Sequence, residues 1–277
     1  MKAAVLGSPI AHSLSPVLHR AAYQALGLRG WTYEAIECDE DGLPGLLARC
    51  GPGWAGLSLT MPLKRAVLPL LDQIEPLAAE VGAANTVIFT GGGRHGHNTD
   101  VPGMIAALAE QGVTGPSLPA GAAVLILGAG ATACSALAAA RGLGIGAVTV
   151  AARDPARAGG LLAAAGRLDV KVTLAPFDGP LGPPPDLLIS TVPAGAADSY
   201  AERISGQTLQ PRCLLDVIYH PWPTPLAAAA RKAGAAVAGG FALLLHQAAV
   251  QVELMTGLPA PLEAMRSAGL AALQSRR

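Results

Sequence analysis

The chain has 277 residues, 51% of them hydrophobic and 14% charged, with a formal net charge of zero. That length suits one large or two medium domains, and a chain without a basic excess lacks the electrostatic footprint of a nucleic-acid binder. An aromatic share of 4% also offers no platform for stacking bases.

The first hundred residues alternate strand and helix. Ala3–Gly7 reads as a strand, Pro16–Leu28 as a helix, Trp31–Cys38 and Ala55–Thr60 as strands, and Leu63–Asp72 as a helix that Pro69 would kink. Thr86–Thr90 is a further strand, followed by the turn Gly91-Gly92-Gly93. Strands spaced by helices imply βαβ units and a mainly parallel sheet. A helix from about Gly103 leads to the loop Gly112–Gly121, which holds Pro116 and Pro119. The second block contains strands at Ala122–Leu127, Ala147–Ala152, Val170–Leu174, Asp186–Thr191 and Cys213–Tyr219. Its helices are expected at Ala131–Gly142 and Pro155–Gly166, with a proline-rich loop at Pro180–Pro185. Helices near Thr224–Ala233, Phe241–Gly257 and Pro261–Leu273 close the chain.

Residues 121–140 carry no charge, a length that could span a bilayer. They are mostly Ala and Gly, however, and Gly128 and Gly130 interrupt them, so a strand, a turn and a buried helix fit better. Cys38, Cys50, Cys134 and Cys213 are scattered, with no CxxC pair. They argue for neither a zinc site nor a disulfide framework, and fit a reducing, cytoplasmic setting. The opening Met1–Gly7 is too short for the apolar core of a secretory signal. His95 and His97 flank a glycine in an expected hairpin tip, without an acidic or cysteine partner nearby, so no metal is expected.

Ser13 and Ser15 precede the first helix. Ser15 is a candidate N-cap, with Pro16 at the first helical position. Capping accounts for Ser15 but does not require Ser13. Two hydroxyls at a helix N-terminus also suit a small carboxylate, and both readings stand at this point.

Val124–Ala133 joins a strand, a Gly-x-Gly-x-x-Ala turn and a helix. In that context Gly128, Gly130 and Ala133 match the dinucleotide-binding fingerprint, where Gly128 permits a tight turn and Gly130 lets the backbone approach a pyrophosphate, so that Gly128, Ala129, Gly130 and Ala131 are the cofactor-binding candidates. The alternative is a plain tight turn in an Ala/Gly-rich chain. An NAD site commonly has an acidic residue after the second strand. Here that strand ends at Arg153, with Arg157 four residues on, and planar guanidinium groups suit a 2′-phosphate. Asp154 could hold a ribose hydroxyl, but Asp154-Pro155 reads better as an N-cap and first helical residue. NADP(H) is therefore expected over NAD.

Lys64 follows the strand ending at Thr60, and Asp100 sits at another strand-to-helix junction. Crevices outside strand C-termini are where open α/β sheets bind ligands, and a Lys–Asp pair could shuttle a proton at an alcohol oxygen.

Seven motifs occur in order: Ser13-Leu-Ser-Pro16, Thr60-Met-Pro-Leu-Lys64, Ala84-Asn-Thr86, Asn98-Thr-Asp100, Gly128-Ala-Gly130, Asp216-Val-Ile-Tyr219 and Gly240 to Gln247. Together they resemble the shikimate dehydrogenase family, over nearly the whole chain. The resemblance implies reversible reduction of 3-dehydroshikimate to shikimate with NADPH, in the pathway to chorismate and aromatic amino acids. It implies that Ser13, Ser15 and Tyr219 hold the substrate carboxylate, and that Thr60, Asn85 and Gln247 bond the ring hydroxyls. Lys64 and Asp100 would be the acid–base pair, and Thr191, Val192 and Gly240 would line the nicotinamide side. Ser58 stands where members often have Asn, and offers a shorter donor and acceptor. Ala131 replaces a common glycine, and Ala152-Arg153-Asp154 a common Asn-Arg-Thr.

The resulting expectation is an α/β protein of two domains. An N-terminal substrate domain with a mainly parallel sheet covers 1–102, completed by helices of 239–277, and a Rossmann-type NADP domain covers 103–238. The protein would be a monomer or homodimer acting on a small molecule, with no nucleic-acid or membrane partner. A quinate dehydrogenase, or a catalytically silent regulatory protein binding the same ligands, are the rival readings.

Overall fold

The structure, a computed structural model, describes residues 1–180 and 184–276. The centre of the expected Pro180–Pro185 loop and the Arg157 side chain lie outside the described residues. The chain divides into two compact units, Met1–Thr99 with Leu244–Arg277, and Asp100–Leu243.

In the first unit the order is β1 (Lys2–Gly7), α1 (Ser15–Ala25), β2 (Thr32–Glu37), α2 (Leu43–Arg49), β3 (Trp54–Leu59), α3 (Leu63–Ala66), β4 (Gln73–Ile74), α4 (Pro76–Val81), β5 (Thr86–Thr90) and β6 (Gly93–His97). The sheet runs β2-β1-β3-β5-β6-β4. β1 is parallel to β2 and β3, and β4 to β6, whereas β5 is antiparallel to both β3 and β6. The antiparallel pair follows from its turn. Thr90 pairs with Gly93, so Gly91 and Gly92 form a two-residue loop, and their φ values of 58° and 79° are what such a hairpin requires of both central residues.

His95 and His97 therefore lie within β6 rather than at a hairpin tip. The expected helix Leu63–Asp72 also breaks: α3 ends at Ala66, and a short 3-10 turn covers Leu68–Leu70. Pro69 has no N–H to continue the ladder. Leu6, Leu57, Leu59, Leu63, Val67 and Val87 share one core cluster.

The second unit contains α5 (Asp100–Ala109), β7 (Val124–Leu127), α6 (Ala131–Gly142), β8 (Ala147–Ala152), α7 (Gly159–Leu168), β9 (Lys171–Pro176), β10 (Leu187–Ser190), α8 (Asp198–Ser205), β11 (Cys213–Asp216), α9 (Pro225–Lys232) and β12 (Ala236–Gly239). Its sheet, β12-β11-β10-β7-β8-β9, is parallel throughout. Counted within the unit this is the doubly wound order 6-5-4-1-2-3, whose switch point lies between β7 and β10. The uncharged residues 121–140 resolve into the end of a loop, β7, a turn and most of α6, and among the described residues no helix is long and apolar enough to cross a membrane. The expected helix at Pro155–Gly166 divides into a 3-10 turn at Pro155–Ala158 and α7. α10 (Gly240–Thr256) and α11 (Leu262–Gln274) end the chain, and α11 packs on α1.

The strand expected through Tyr219 stops at Asp216, because the side chain of Asp216 turns the backbone. Asp216 Oδ1 accepts the Ile218 N–H at 3.2 Å, and Oδ2 accepts the Thr224 hydroxyl at 2.6 Å. The Thr224 oxygen in turn accepts the Ala227 N–H at 3.0 Å and caps α9. Burial pushes the Asp216 carboxyl above its usual range, and its two hydrogen bonds pull against that shift. One threonine thus secures both the loop that carries Tyr219 and the start of α9. Replacing Thr224 with Val should destabilise the fold by about 2–3 kcal/mol, the loss of a cap and of a donor to a buried carboxylate. Thr224→Ser should recover most of that, as read from the midpoint of thermal unfolding.

Candidate active site

The loop after β1 is built around a close approach. A Cβ at Gly7 would collide with the Thr60 Cγ2 atom and lie 2.9 Å from the Met61 carbonyl. The absence of that atom lets Ser8 N–H reach the Met61 carbonyl at 3.0 Å and Thr60 N–H reach the Leu6 carbonyl at 2.9 Å. The C-terminal ends of β1 and β3 are thereby joined. Leu59 N–H donates to the Asn85 carbonyl at 2.7 Å and Ala84 N–H to the Lys64 carbonyl at 2.8 Å. Thr60, Lys64 and Asn85 are thus brought together on one backbone frame. Lys64 and Thr60 are half-buried and Asn85 is buried.

The serine stretch differs from expectation. α1 begins at Ser15, with Leu14 in the cap position, and it is the Ser13 Oγ that accepts the Ser15 N–H at 3.2 Å. Ser13 therefore does the local backbone work expected of Ser15. The Ser15 side chain is buried.

Asn85 is held from several directions. Its Oδ1 accepts the Thr99 N–H at 2.7 Å and the Thr86 hydroxyl at 3.0 Å. Its Nδ2 donates to Thr99 Oγ1 at 2.9 Å and to Gln247 Oε1 at 3.3 Å. Gln247, on α10, anchors its own Nε2 on the Leu244 carbonyl at 2.9 Å. Asn85 and Gln247, far apart in sequence, therefore meet.

Ser58 has two short bonds, donating to Gln251 Oε1 at 2.7 Å and accepting from the Tyr33 hydroxyl at 2.6 Å. The donor that the sequence credits to Ser58 is engaged inside the protein. His19 stacks on Tyr33 with ring centroids 3.9 Å apart, and burial pushes its pKa down to about 3. No motif in the sequence singles out Tyr33, Gln251 or His19, and Thr99 lies inside the Asn98-Thr-Asp100 motif without a role of its own. Gln251 has one available signal, since it lies four residues after Gln247 and shares its helix face.

In the second unit Gly128 has φ of 100°, and a Cβ there would approach Thr191 Oγ1 at 2.8 Å and Val192 Cγ1 at 3.1 Å. Thr191 is fixed through its hydroxyl to the Leu127 carbonyl at 2.7 Å. The fingerprint glycine and Thr191 thus flank the sheet's switch point at the C-terminal ends of β7 and β10. Gly130 takes the cap position of α6 without a side-chain cap, and a Cβ there would meet nothing within 4 Å. The α6 N-terminus, Ala129 and Ala131 fit a pyrophosphate. Arg153 is exposed just beyond β8, and Asp154 Oδ1 accepts the Ala156 N–H at 3.0 Å, as its capping role predicts. Gly240 lies so close to the Val217 carbonyl that no Cβ fits there. Tyr219 is half-buried, and Asp100 is the buried first residue of α5. Among the described residues no group of three or more His, Cys, Asp or Glu side chains could hold a metal ion.

A family model described as the shikimate dehydrogenase substrate binding domain matches residues 5–87, and one described as the shikimate 5′-dehydrogenase C-terminal domain matches residues 240–268. A shikimate dehydrogenase (NADP(+)) of Geobacter metallireducens is 36% identical over 284 residues, covering 98% of this chain and 96% of its own. The crystal structure of Mycobacterium tuberculosis shikimate dehydrogenase is similar with a TM-score of 0.85 at 44% identity, over 98% of this chain and 99% of that one. That of shikimate 5-dehydrogenase from Thermus thermophilus, in complex with NADP(H) and shikimate, has a TM-score of 0.82 at 34% identity, over 98% and 99%. With this fold, these strand-end residues and this near-complete similarity, the chain belongs to the shikimate dehydrogenase family.

Proposed function

We infer that the protein is an NADP-dependent shikimate dehydrogenase, which reversibly reduces 3-dehydroshikimate to shikimate in the pathway to chorismate and aromatic amino acids. The observation that carries this reading is the set of neutral hydrogen-bonding side chains of Thr60, Asn85 and Gln247 on the frame that also holds Lys64. A small polyhydroxylated acid needs several such donors and acceptors, because each ligand hydroxyl taken from water must find a partner. Ser13, Ser15 and Tyr219 are assigned to its carboxylate, with Ser58 at the ring hydroxyls.

NADP, when bound, supplies the hydride chemistry. Gly128, Ala129, Gly130 and Ala131 would hold its pyrophosphate, Arg153 and Arg157 its 2′-phosphate, and Thr191, Val192 and Gly240 the nicotinamide side. In the reducing direction Lys64 stabilises charge developing on the carbonyl oxygen and donates a proton to it. Asp100 is its acid–base partner. The presence of both residues favours an enzyme over a silent regulatory protein. The free cysteines support a cytoplasmic setting, for a monomer or homodimer.

Lys64→Ala should lower kcat by about a hundredfold or more, the usual range for a general acid. The shikimate KM should change little, because the interaction is made in the transition state. An unchanged kcat would remove Lys64 from the chemistry. Arg153→Ala should raise the KM for NADP by about tenfold, the loss of one charge-assisted contact, and leave the KM for NAD nearly unchanged. Equal effects on the two would contradict the 2′-phosphate assignment.

A further inference from the structure

The hydrogen bonds around Ser58 have one consistent direction. Gln251 Nε2 points at the Asn85 carbonyl, 3.4 Å away, and at Thr86 Oγ1, 2.9 Å away. The carbonyl can only accept, and the Thr86 hydroxyl already donates to Asn85 Oδ1 at 3.0 Å. Both contacts therefore require the amide nitrogen on that side, which settles the orientation of the Gln251 carboxamide. Its Oε1 must then face Ser58 and the ring of His19, whose Nε2 lies 3.3 Å away. Ser58 must donate its single proton to Gln251. The Tyr33 hydroxyl, 2.6 Å from Ser58 Oγ, must donate to Ser58. Among the described residues no buried side-chain polar atom lacks a partner, so the arrangement is satisfied as it stands.

A serine hydroxyl has one proton and two lone pairs. With its proton on Gln251 and one lone pair on Tyr33, Ser58 has a single lone pair left. We propose that Gln251 and Tyr33 are positioning residues that hold the Ser58 hydroxyl as a hydrogen-bond acceptor, so that this corner of the site selects a ligand hydroxyl that donates. The inference rests on the shikimate reading above. It makes α10 carry two glutamines with different duties one turn apart: Gln247 is itself assigned to ligand, whereas Gln251 acts through Ser58.

The test is a double-mutant cycle on the full-length protein, with shikimate and NADP. Wild-type turnover is measured first, so that failure of the shikimate reading is seen separately, as absence of that turnover. Ser58→Ala and Gln251→Met should each raise the shikimate KM by about tenfold, the loss of one properly oriented hydrogen bond, with the NADP KM within about twofold of wild type. The double variant should be no worse than Ser58→Ala alone, because Gln251 has nothing left to orient. Effects that multiply, a matching rise in the NADP KM, or no effect of Gln251→Met would overturn the proposal. Tyr33→Phe, which keeps the ring stacked on His19, gives a second reading if Gln251→Met does not fold. Its effect on the shikimate KM should likewise vanish in the Ser58→Ala background, and persistence there would overturn the proposal.

Discussion

Asn85 Oδ1 accepts the Thr99 N–H at 2.7 Å, and the buried carboxamide and hydroxyl groups around Asn85 take their orientation from that bond. With Oδ1 committed, Nδ2 turns toward Thr99 Oγ1 and Gln247 Oε1. The Asn85 backbone carbonyl meanwhile accepts from Leu59 N–H and from Gln251 Nε2. A buried donor or acceptor without a partner costs about 1–3 kcal/mol, so each assignment constrains the next. The site is precise because its neutral side chains have almost no alternative way to pair. A charged wall would be less selective, since ion pairs tolerate wider geometry than a carboxamide clasped on both edges.

The second unit reaches the same end by a different means. Here the constraint is steric. Gly128 at φ of 100° beside Thr191, and Gly240 against the Val217 carbonyl, are places where backbone lies too close to backbone or side chain for any Cβ. The parallel order of six strands puts the first of these at the switch point, and the last strand leads directly into Gly240. The Asp216–Thr224 clamp then holds the segment between β11 and α9. Sheet topology places the loops, and glycine lets them approach.

Much of this is legible in the residues. Ala131–Gly142 and Ala147–Ala152 form a helix and a strand as the pattern predicts, because a Gly-x-Gly turn and a β-branched run leave little ambiguity. α2 and α4, with seven and six residues, carry no readable signal. Two turns give too few periods to read, and such short helices are stable only through packing. The short strands β4, β6 and β12 escape the pattern for a related reason: their pairing partners, not their composition, make them strands, whereas α8 does carry a signal in the helical spacing of its buried Tyr200, Ala201 and Ile204. At Pro69 the sequence implies a kink, and the structure has a full interruption. In the site, the identities of Ser13, Lys64, Asn85 and Gln247 can be read from motifs, but the direction of each hydrogen bond cannot. Ser13 rather than Ser15 bonds the helix backbone, and the Ser58 proton is held by Gln251, 193 positions away. The first is a local turn two residues long, whereas the second depends on which atoms the fold brings within hydrogen-bonding distance, and no local spacing encodes it.

That both units serve one reaction, hydride exchange between shikimate and NADP, is tested most directly by mixing the purified protein with shikimate and NADP, and in parallel with NAD and with quinate. Absorbance of the reduced nicotinamide is followed in each. Rapid reduction with shikimate and NADP, and slow or absent reduction in the other pairings, is the predicted result. Turnover mainly with quinate or with NAD, or binding of shikimate and NADP without turnover, would contradict it.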